Sequence, residues 1–397
     1  MDPAAAALSG HDHARRPARG PEALYGRRRA HGGLSVSVVT QSDIRPGLFR
    51  ALLDDLGELG VSGPRARASL TATLSVVLSV TVALWLHLDN AWWAGISGFM
   101  VSQATSAASF KKGLQRISGT ALGAAAAFLA MRWIAYDHVA SYLFLFFFTL
   151  VGVLGYEVKR NGYAWLLAAV TAGMIVLMSL EQPMVTLHAA VYRTAEVAIG
   201  TFVAMLVAFA LADDAQNEIA EPEPPGFLGA DRAALLHATR SALSVMLIPI
   251  VWDWLELPMS GAQMGITAIV VSAVPALGTP PSILLSTVVT RGLHRIVGCL
   301  IGGAAALFCL MIPLTSFLPW LLALAGGVWI AMHIQTSARG TGYVGTQISI
   351  AFIMTLVQGF GPPLSIWPGA ERFAGILIGL VILLLVSLVL WPSEEKA

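Results

Sequence analysis

The sequence predicts an all-α integral membrane protein of about 12 transmembrane helices, arranged as two parallel six-helix repeats. Of the 397 residues, 56% are apolar and only 12% are charged, which is typical of a membrane protein. From residue 70 on, apolar runs of roughly 17 to 25 residues follow one another, each long enough to cross a hydrocarbon core of about 30 Å. The stretch 113–127 returns as 292–306 with nine of fifteen positions identical, which indicates a duplicated unit.

The apolar runs divide evenly between the two halves of the chain. The first six lie near 70–88, 91–109, 117–136, 139–156, 163–180 and 187–211. The second six lie near 235–254, 260–277, 293–312, 316–334, 343–360 and 369–391. Because six crossings is an even number, both repeats point the same way, and we expect a pseudo-two-fold axis along the membrane normal.

Polar segments frame the two repeats, which cover 65–212 and 234–392. Residues 1–45 are rich in Arg, Gly and Pro and are predicted to form a disordered basic tail. Residues 46–64 carry leucines at helical spacing with acidic residues between them, which predicts an interfacial helix. Residues 213–233 form an acidic, Pro-rich linker between the repeats.

The distribution of basic residues predicts the orientation. Alternate gaps between apolar runs carry Lys and Arg, the remaining gaps carry almost none, and the basic tail falls on the same side as the charged gaps. Both termini are therefore predicted to be cytoplasmic. Tryptophans gather at the opposite helix ends, as an outer interfacial belt would require: Trp92, Trp93, Trp252, Trp254, Trp320 and Trp367.

Familiar enzyme signatures are absent from the sequence. It contains no His-Glu-x-x-His, Gly-x-Ser-x-Gly, phosphate-binding Gly-rich loop or Cys-x-x-Cys motif. We therefore expect neither an enzyme nor a cofactor or metal. Cys299 and Cys309 lie in one apolar run and predict no disulfide framework, and a net charge of +1 gives no reason to expect a nucleic-acid partner.

Arg116 and Arg295 occupy the same position in the two copies of the duplicated stretch. We place them at the cytoplasmic ends of the third and ninth helices. There they either anchor the helix by snorkelling or line the mouth of an anion pathway. The glycines that follow, Gly119 and Gly123 in the first half, are spaced for close helix packing.

Arg193 and Arg372 are a second pair of arginines, separated by the same offset as Arg116 and Arg295. Arg193 is expected one to two turns inside the sixth helix, where a charge costs about 2.5 kcal/mol or more. Glu196 lies one turn on and Glu371 adjoins Arg372, yet neither acid recurs in the other half. Two interpretations stay open, contact with an anionic substrate and an internal ion pair. Glu196 is the candidate proton carrier.

The second helix of each half is unusual. In the first half it carries Gln103, Thr105 and Ser106, and in the second half it carries Gln263 and then breaks at 275–281. Polar or broken segments at corresponding positions of two repeats indicate a binding site near the bilayer midplane. The alternative is that these polar side chains hydrogen-bond within the bundle.

Three short segments of the first half carry a resemblance to a known family. The order Trp92-Trp-Ala, Gln103-Ala-Thr and then Lys112-Gly-Leu-Gln-Arg-Ile-Ser-Gly-Thr-Ala-Leu-Gly123 resembles the fusaric acid resistance and aromatic acid exporter family. The resemblance covers 65–212 well and 235–392 more loosely. It implies an inner-membrane exporter of aromatic or other organic carboxylates that is driven by the proton gradient.

The aluminium-activated malate transporters are more distantly similar. In that family, subunits of six helices dimerise around an anion pore lined by basic residues. By this resemblance the chain is a fused pseudo-dimer, and Arg116, Arg193, Arg295 and Arg372 are the positions to carry over. One departure is Ser282, which stands where the first half has Gln103.

The predicted function is proton-coupled efflux of organic anions across the inner membrane. Arg193 and Arg372 would contact the substrate charge, Gln103, Thr105 and Ser106 would line the site, and Glu196 would carry the proton. A passive anion channel and a non-transporting scaffold for envelope assembly are the alternatives. The expected partners are the organic anion and the lipid bilayer, with a homo-oligomer or a periplasmic adaptor left open.

Overall fold

The computed structural model describes residues 47–103, 105–211, 226–257, 260–312, 316–359 and 367–390. The predicted basic tail and most of the predicted acidic linker lie outside these ranges. The described residues are helical and contain no β-strand, which confirms the all-α prediction. The helices are α1 (Gly47–Gly57), α2 (Gly63–Trp85), α3 (Ala91–Val101), α4 (Ser106–Ile134), α5 (His138–Val158), α6 (Gly162–Glu181), α7 (Thr186–Leu211), α8 (Arg232–Trp254), α9 (Gly261–Val271), α10 (Pro281–Met311), α11 (Phe317–Gln335), α12 (Gly342–Leu356) and α13 (Trp367–Val389).

Nine of the described helices are long and apolar enough to cross a membrane: α2, α4 to α8, α10, α11 and α13. The others after α1 are apolar but shorter, with 11 residues in α3, 11 in α9 and 15 in α12. An eleven-residue helix is about 16 Å long, roughly half the thickness of the hydrocarbon core. Twelve full crossings are therefore not confirmed, and the two-repeat arrangement stays a prediction.

The predicted boundaries around α3 and α4 are wrong. α3 ends at Val101 and not near residue 109, and α4 begins at Ser106 and not near residue 117. The Thr105 hydroxyl accepts a hydrogen bond from the Ala108 backbone N–H (3.1 Å) and so caps α4. A polar stretch that hydropathy assigns to the end of one helix thus begins the next.

The boundaries around α9 and α10 need the same correction. α9 ends at Val271 and not near residue 277, and α10 begins at Pro281 and not near residue 293. Proline lacks a backbone N–H, so it interrupts a helix interior but is well tolerated in the first turn. Pro281 therefore starts α10 well before the apolar run that predicted it.

Glycines of the duplicated stretch bring helices into backbone contact. A Cβ added at Gly119 or Gly123 of α4 would overlap the carbonyl oxygens of Ala164 and Ala168 on α6. Gly302 of α10 meets α12 in the same way, at the carbonyl oxygen of Ile348. These contacts fit the small-residue packing that the spacing predicts.

The two halves pack crosswise. α5 packs on α8 and α11 packs on α2, while α6 packs on α9 and α12 packs on α3. Each contact between the halves thus has a counterpart in which the two halves have swapped places. A two-fold axis between the halves would produce such pairs of contacts, as the two-repeat prediction expects. We call the end of the bundle at which α5, α7 and α11 begin the predicted outer end.

α1 lies against the second half at the opposite end. Leu52 is buried in a cluster with Ile334 of α11 and Val344 of α12. Phe49 and Leu53 point away from this cluster and are 71% and 52% exposed. An apolar face left open in this way is typical of an interfacial helix, and contact with the membrane surface stays a prediction.

Candidate anion site

α3 begins well inside the bundle. The backbone N–H of Asn90 donates to Oε1 of Glu196 on α7 (2.8 Å). Glu196 lies ten positions after Thr186, the first residue of α7, which is about 15 Å along the helix axis. One turn further, Gly200 allows α7 to approach the backbone of Ala94 on α3. The positive end of the α3 dipole is therefore set deep below the predicted outer end.

α9 begins at a carboxylate in the same manner. Oε1 of Glu181 on α6 accepts hydrogen bonds from the Gly261 backbone N–H (2.9 Å) and from the Ser260 hydroxyl (3.0 Å). A helix N-terminus favours an anion because its first N–H groups lack partners within the helix. Both short helices thus hold a glutamate from a neighbouring helix at the place where an anion binds best.

A cavity of about 370 Å³ lies between the two helix starts and has walls from both halves. It brings together three residues that the sequence predicts for the site, Arg193, Arg372 and Glu196. The other side chains that line it include one further acid, two amides, two tryptophans and several polar groups: Asn90, Trp92, Trp93, His188, Tyr192, Ser260, Gln263 and Glu371.

Arg193 is a buried cation on α7. It is 4% exposed, and its Nε and Nη1 make no hydrogen bond within the described residues. Its guanidinium carbon instead lies 3.1 Å from the centre of the Trp93 ring, which is a cation–π contact. Glu196 bonds to Asn90, and no salt bridge joins it to Arg193 within the described part of the chain. The two charges thus attract each other across a distance longer than a salt bridge.

Arg372 is held differently. Its Nη1 donates to the carbonyl oxygen of Met354 at the end of α12 (2.6 Å), and its guanidinium carbon lies 4.8 Å from the centre of the Trp92 ring. The rings of Trp92 and Trp93 lie 4.0 Å apart. Arginines from the two halves are therefore joined through one pair of tryptophans.

Arg116 and Arg295 do not mark helix ends, contrary to the sequence prediction. They lie several turns inside α4 and α10, and they are 4% and 5% exposed. Arg116 donates to the hydroxyls of Ser97 (3.1 Å) and Tyr163 (2.7 Å). Arg295 donates to Oε1 of Gln347 (2.8 Å) and lines a second cavity, which shares Arg372 with the first.

Gln103, Thr105 and Ser106 do not line either cavity. They lie at the connection between α3 and α4, at the far end of α3 from Glu196. The Gln103 amide donates to the carbonyl oxygen of Ser102 (2.7 Å), and Thr105 caps α4. The structure therefore does not bring these three residues to the arginines.

Comparison with known proteins shows a family resemblance over part of the chain. Residues 66–221, about two fifths of the chain, match the model of the fusaric acid resistance protein family. With nine membrane-length helices among the described residues, the chain is an integral membrane protein. No solved structure matches the chain.

Some similar proteins are named as uncharacterized transporters and one as a multidrug resistance protein. YdhK of Escherichia coli (strain K12), an uncharacterized transporter, is 30% identical over 143 residues, which are 34% of this chain and 21% of YdhK. YdhK of Salmonella typhimurium is 31% identical over 116 residues, 28% of this chain and 16% of that protein. The multidrug resistance protein MdtO of Shigella flexneri is 36% identical over 70 residues, 17% of this chain and 10% of MdtO. The matches thus span about a fifth or less of these relatives, and they support a membrane transporter rather than an enzyme.

Sequence reasoning placed Gln263 on the polar helix of the second half without pairing it with Trp93, and it did not assign Trp93 to the site. They occupy the same place in α9 and α3, since each lies two positions after the first helical residue, Gly261 or Ala91. The offset of the duplicated stretch does not pair them, because it holds only from α4 and α10 onward. Aligning the two apolar helices by their own starting points would have paired these side chains.

Proposed function

We propose that this protein exports organic anions, aromatic carboxylates foremost, across the inner membrane in exchange for protons. The observation that carries the proposal is the position of Arg193, a buried cation that lines a cavity and whose Nε and Nη1 have no acceptor within the described residues. A cation in an apolar region costs several kcal/mol unless it is paired. A carboxylate brought by the substrate supplies that partner.

The lining of the cavity suits an aromatic acid. Arg193 and Arg372 offer planar donors that match a carboxylate, and the rings of Trp92, Trp93 and Tyr192 offer surfaces for stacking. A volume of about 370 Å³ fits a small organic ligand, since ligand pockets run from roughly 300 to 1,000 Å³. Aromatic monocarboxylates are therefore the substrate class best matched to the site.

Glu196 couples substrate to protons in this proposal. As a carboxylate it lies at the start of α3, close to the cavity that the substrate enters. In an exchange, the anion and the proton are carried at different stages of the cycle. The outward step carries the anion while Glu196 is ionised, because the charges of Arg193 and Arg372 offset both carboxylates. The empty carrier returns with Glu196 protonated, so that one proton moves inward for each anion that leaves.

The remaining predicted residues take places along the path. Arg372 and Gln263 line both cavities, so they lead from the outer cavity toward Arg295. Arg116 holds the corresponding place in the first half through Ser97 and Tyr163. Gln103, Thr105 and Ser106, at the far end of α3, are proposed as the first contacts of the exported anion on the cytoplasmic side. Both termini are placed in the cytoplasm, as the basic residues predict.

Flux into inverted membrane vesicles tests the proposal. We expect labelled benzoate to accumulate when an inward-acid pH gradient is imposed, and Arg193→Gln to reduce the initial rate by about 10- to 100-fold. Arg132→Gln is the matched control, because Arg132 is an exposed arginine at the end of α4. Equal rates in the Arg193→Gln and Arg132→Gln proteins, with both folded, would refute the role of Arg193.

The same vesicles separate a carrier from a channel. A carrier stops concentrating benzoate when Glu196→Gln removes the titratable group, even at full pH gradient. A passive anion channel gives currents that reverse at the anion equilibrium potential and are unchanged by Glu196→Gln. The second result would replace the exchange mechanism.

A further inference from the structure

A second cavity, of about 280 Å³, lies between α10, α12 and α13 in the second half. Its walls are mainly apolar, with Leu300, Met354 and Phe373 among them. Arg372 and Gln263 line it at one side and Arg295 lines it deeper in the bundle. The cavity therefore combines a long apolar wall with two cations and one amide.

This cavity borders the surface that a bilayer would contact. Leu300 is 50% exposed on α10, a helix of membrane-crossing length, and Ala304 of the same helix is exposed as well. Between them, Gly303 lines the cavity, and a Cβ added there would meet no atom within 4 Å. The wall of the bundle thus has a gap at Gly303.

The first half has no matching gap among the described residues. Ala124 takes the place of Gly303, is 3% exposed and belongs to the central apolar cluster. α4 also packs extensively on α7, whereas α10 packs much less on α13. The opening is therefore particular to the second half.

The polar side of the second cavity is suited to binding an anion. Arg295 is 5% exposed, its Nη1 donates to Gln347, and its Nε makes no hydrogen bond within the described residues. Arg372 gives one donor to Met354 and has others that remain for a ligand. Two cations at the end of an apolar cavity match a molecule with one carboxylate and one apolar chain.

We propose that this cavity binds single-chain amphipathic organic acids that enter from the bilayer through the gap at Gly303. The carboxylate lies between Arg295 and Arg372, and the apolar chain extends past Leu300 into the lipid. In its role as an entrance, the site rests on the proposed transport function, because Arg372 and Gln263 connect it to the outer cavity. Binding itself requires only the cavity.

Photo-crosslinking in vesicles of phosphatidylcholine tests the site. The probes are a twelve-carbon acid that carries a diazirine at its far end and the alcohol of the same chain. We expect the acid to label α10 and α13 about tenfold more than the alcohol does, since only the acid pairs with the arginines. Unlabelled dodecanoate should compete, whereas added phosphatidylglycerol should not. Competition by phosphatidylglycerol alone would overturn the proposal in favour of a bound lipid.

Two glycine variants provide a matched pair. Gly303→Leu fills the gap and is expected to reduce labelling by the acid about tenfold. Gly326→Leu places the same side chain on α11, where an added Cβ also meets nothing within 4 Å, and it should label like the wild type. Leucine is a better helix former than glycine, so both proteins should fold. Arg295→Gln should reduce labelling without touching the gap.

Each result has a clear meaning. Equal labelling by acid and alcohol, or equal labelling of the Gly303→Leu and Gly326→Leu proteins, would overturn the site. Benzoate flux that persists in Gly303→Leu while flux of the amphipathic acid falls supports the entrance role. Specific labelling together with no effect of Arg193→Gln on flux would leave the site standing and refute the proposed transport function.

Discussion

Arg193 and Arg372 hold matched positions in the two halves, yet their surroundings differ. Arg193 packs on Trp93 and makes no hydrogen bond through Nε or Nη1 within the described residues, whereas Arg372 donates to the Met354 carbonyl oxygen. The walls differ as well, because α4 packs extensively on α7, whereas α10 packs much less on α13 and has open space at Gly303. The first half therefore offers a cation for the ligand and the second half offers access.

This difference concerns how two halves of related sequence contribute to one binding site. If both halves were alike, they would form two equivalent sites, each with its own opening. The unequal arginines and unequal walls favour a single site to which each half contributes a different part. The following predictions test this comparison, from the largest expected effect to the smallest.

Asp55 is expected to give the largest loss of stability. It is fully buried and accepts hydrogen bonds from Arg339 (2.8 Å), Ser337 (2.6 Å) and Thr341 (2.7 Å), so that it fastens α1 to the connection between α11 and α12. Asp55→Ala leaves buried donors without an acceptor and should cost about 3–5 kcal/mol. Hydrogen exchange of α1 and residues 336–341 measures this loss.

At the corresponding connection in the first half, the buried acid Glu157 bonds elsewhere, to the backbone N–H groups of Ala276 (3.0 Å) and Leu277 (3.3 Å). Phe227 packs there against Trp165, with ring centres 5.7 Å apart, and beneath Lys159. Phe227→Ala should therefore speed exchange around residues 159–161 less than Asp55→Ala speeds it around 336–341. Equal increases in the exchange rate would show that the two connections are equally stable.

Gly302 and Gly303 are neighbours with opposite expectations. Alanine at Gly302 would overlap the Ile348 carbonyl oxygen and should cost about 1–3 kcal/mol. Alanine at Gly303 meets open space and should raise stability slightly, because glycine is a poor helix former. Thermal unfolding in detergent compares the two variants. A drop in the midpoint for Gly303→Ala would contradict the gap.

Glu181 and Glu196 test whether capping and coupling are separate roles. Each accepts hydrogen bonds at the start of a short helix, so Glu181→Gln and Glu196→Gln should each lower stability by about 0.3–1 kcal/mol. Only Glu196→Gln should remove the response of benzoate flux to a pH gradient. A loss of the response in both variants would assign it to the helix ends in general.

The smallest effect is the pH dependence of the contact between Glu58 and Arg339. The hydrogen bond from Arg339 lowers the pKa of the Glu58 carboxyl from 4.5 to about 2, with help from Arg65. Because the pKa is lower in the folded protein, the stabilisation is present above pH 4.5 and is lost as the pH falls toward 2. Unfolding midpoints between pH 6 and pH 3 should fall less in Glu58→Gln than in the wild type.

The helical class and the choice of Arg193 and Arg372 as site residues could be predicted, because both depend on clear patterns in the sequence. Apolar runs set the class, and the offset of the duplicated stretch picks out Arg193 and Arg372, which do share a cavity. The spacing of Gly119 and Gly123 likewise predicts the close packing of α4 that the structure shows.

The helix starts and the remaining lining could not be predicted, for physical reasons. Hydropathy cannot tell a polar helix end from a polar cap, so it misplaced the starts of α4 and α10. The polar pattern also assigned Gln103, Thr105 and Ser106 to the site. Gln103 and Thr105 instead hydrogen-bond to backbone groups near the α4 start. The offset of the duplicated stretch does not pair Gln263 with Trp93, because the connection after α9 is longer than the one after α3.

The central claim is that the two arginines serve one anion site, and a double-mutant cycle on binding tests it most directly. Affinity for labelled benzoate would be measured for the purified wild type, Arg193→Gln, Arg372→Gln and the double variant. We predict that each single change weakens binding about tenfold or more, and that the double variant binds about fivefold better than the product of both losses. Independent losses that multiply would contradict a shared site, and wild-type affinity in a folded double variant would remove the arginines from binding altogether.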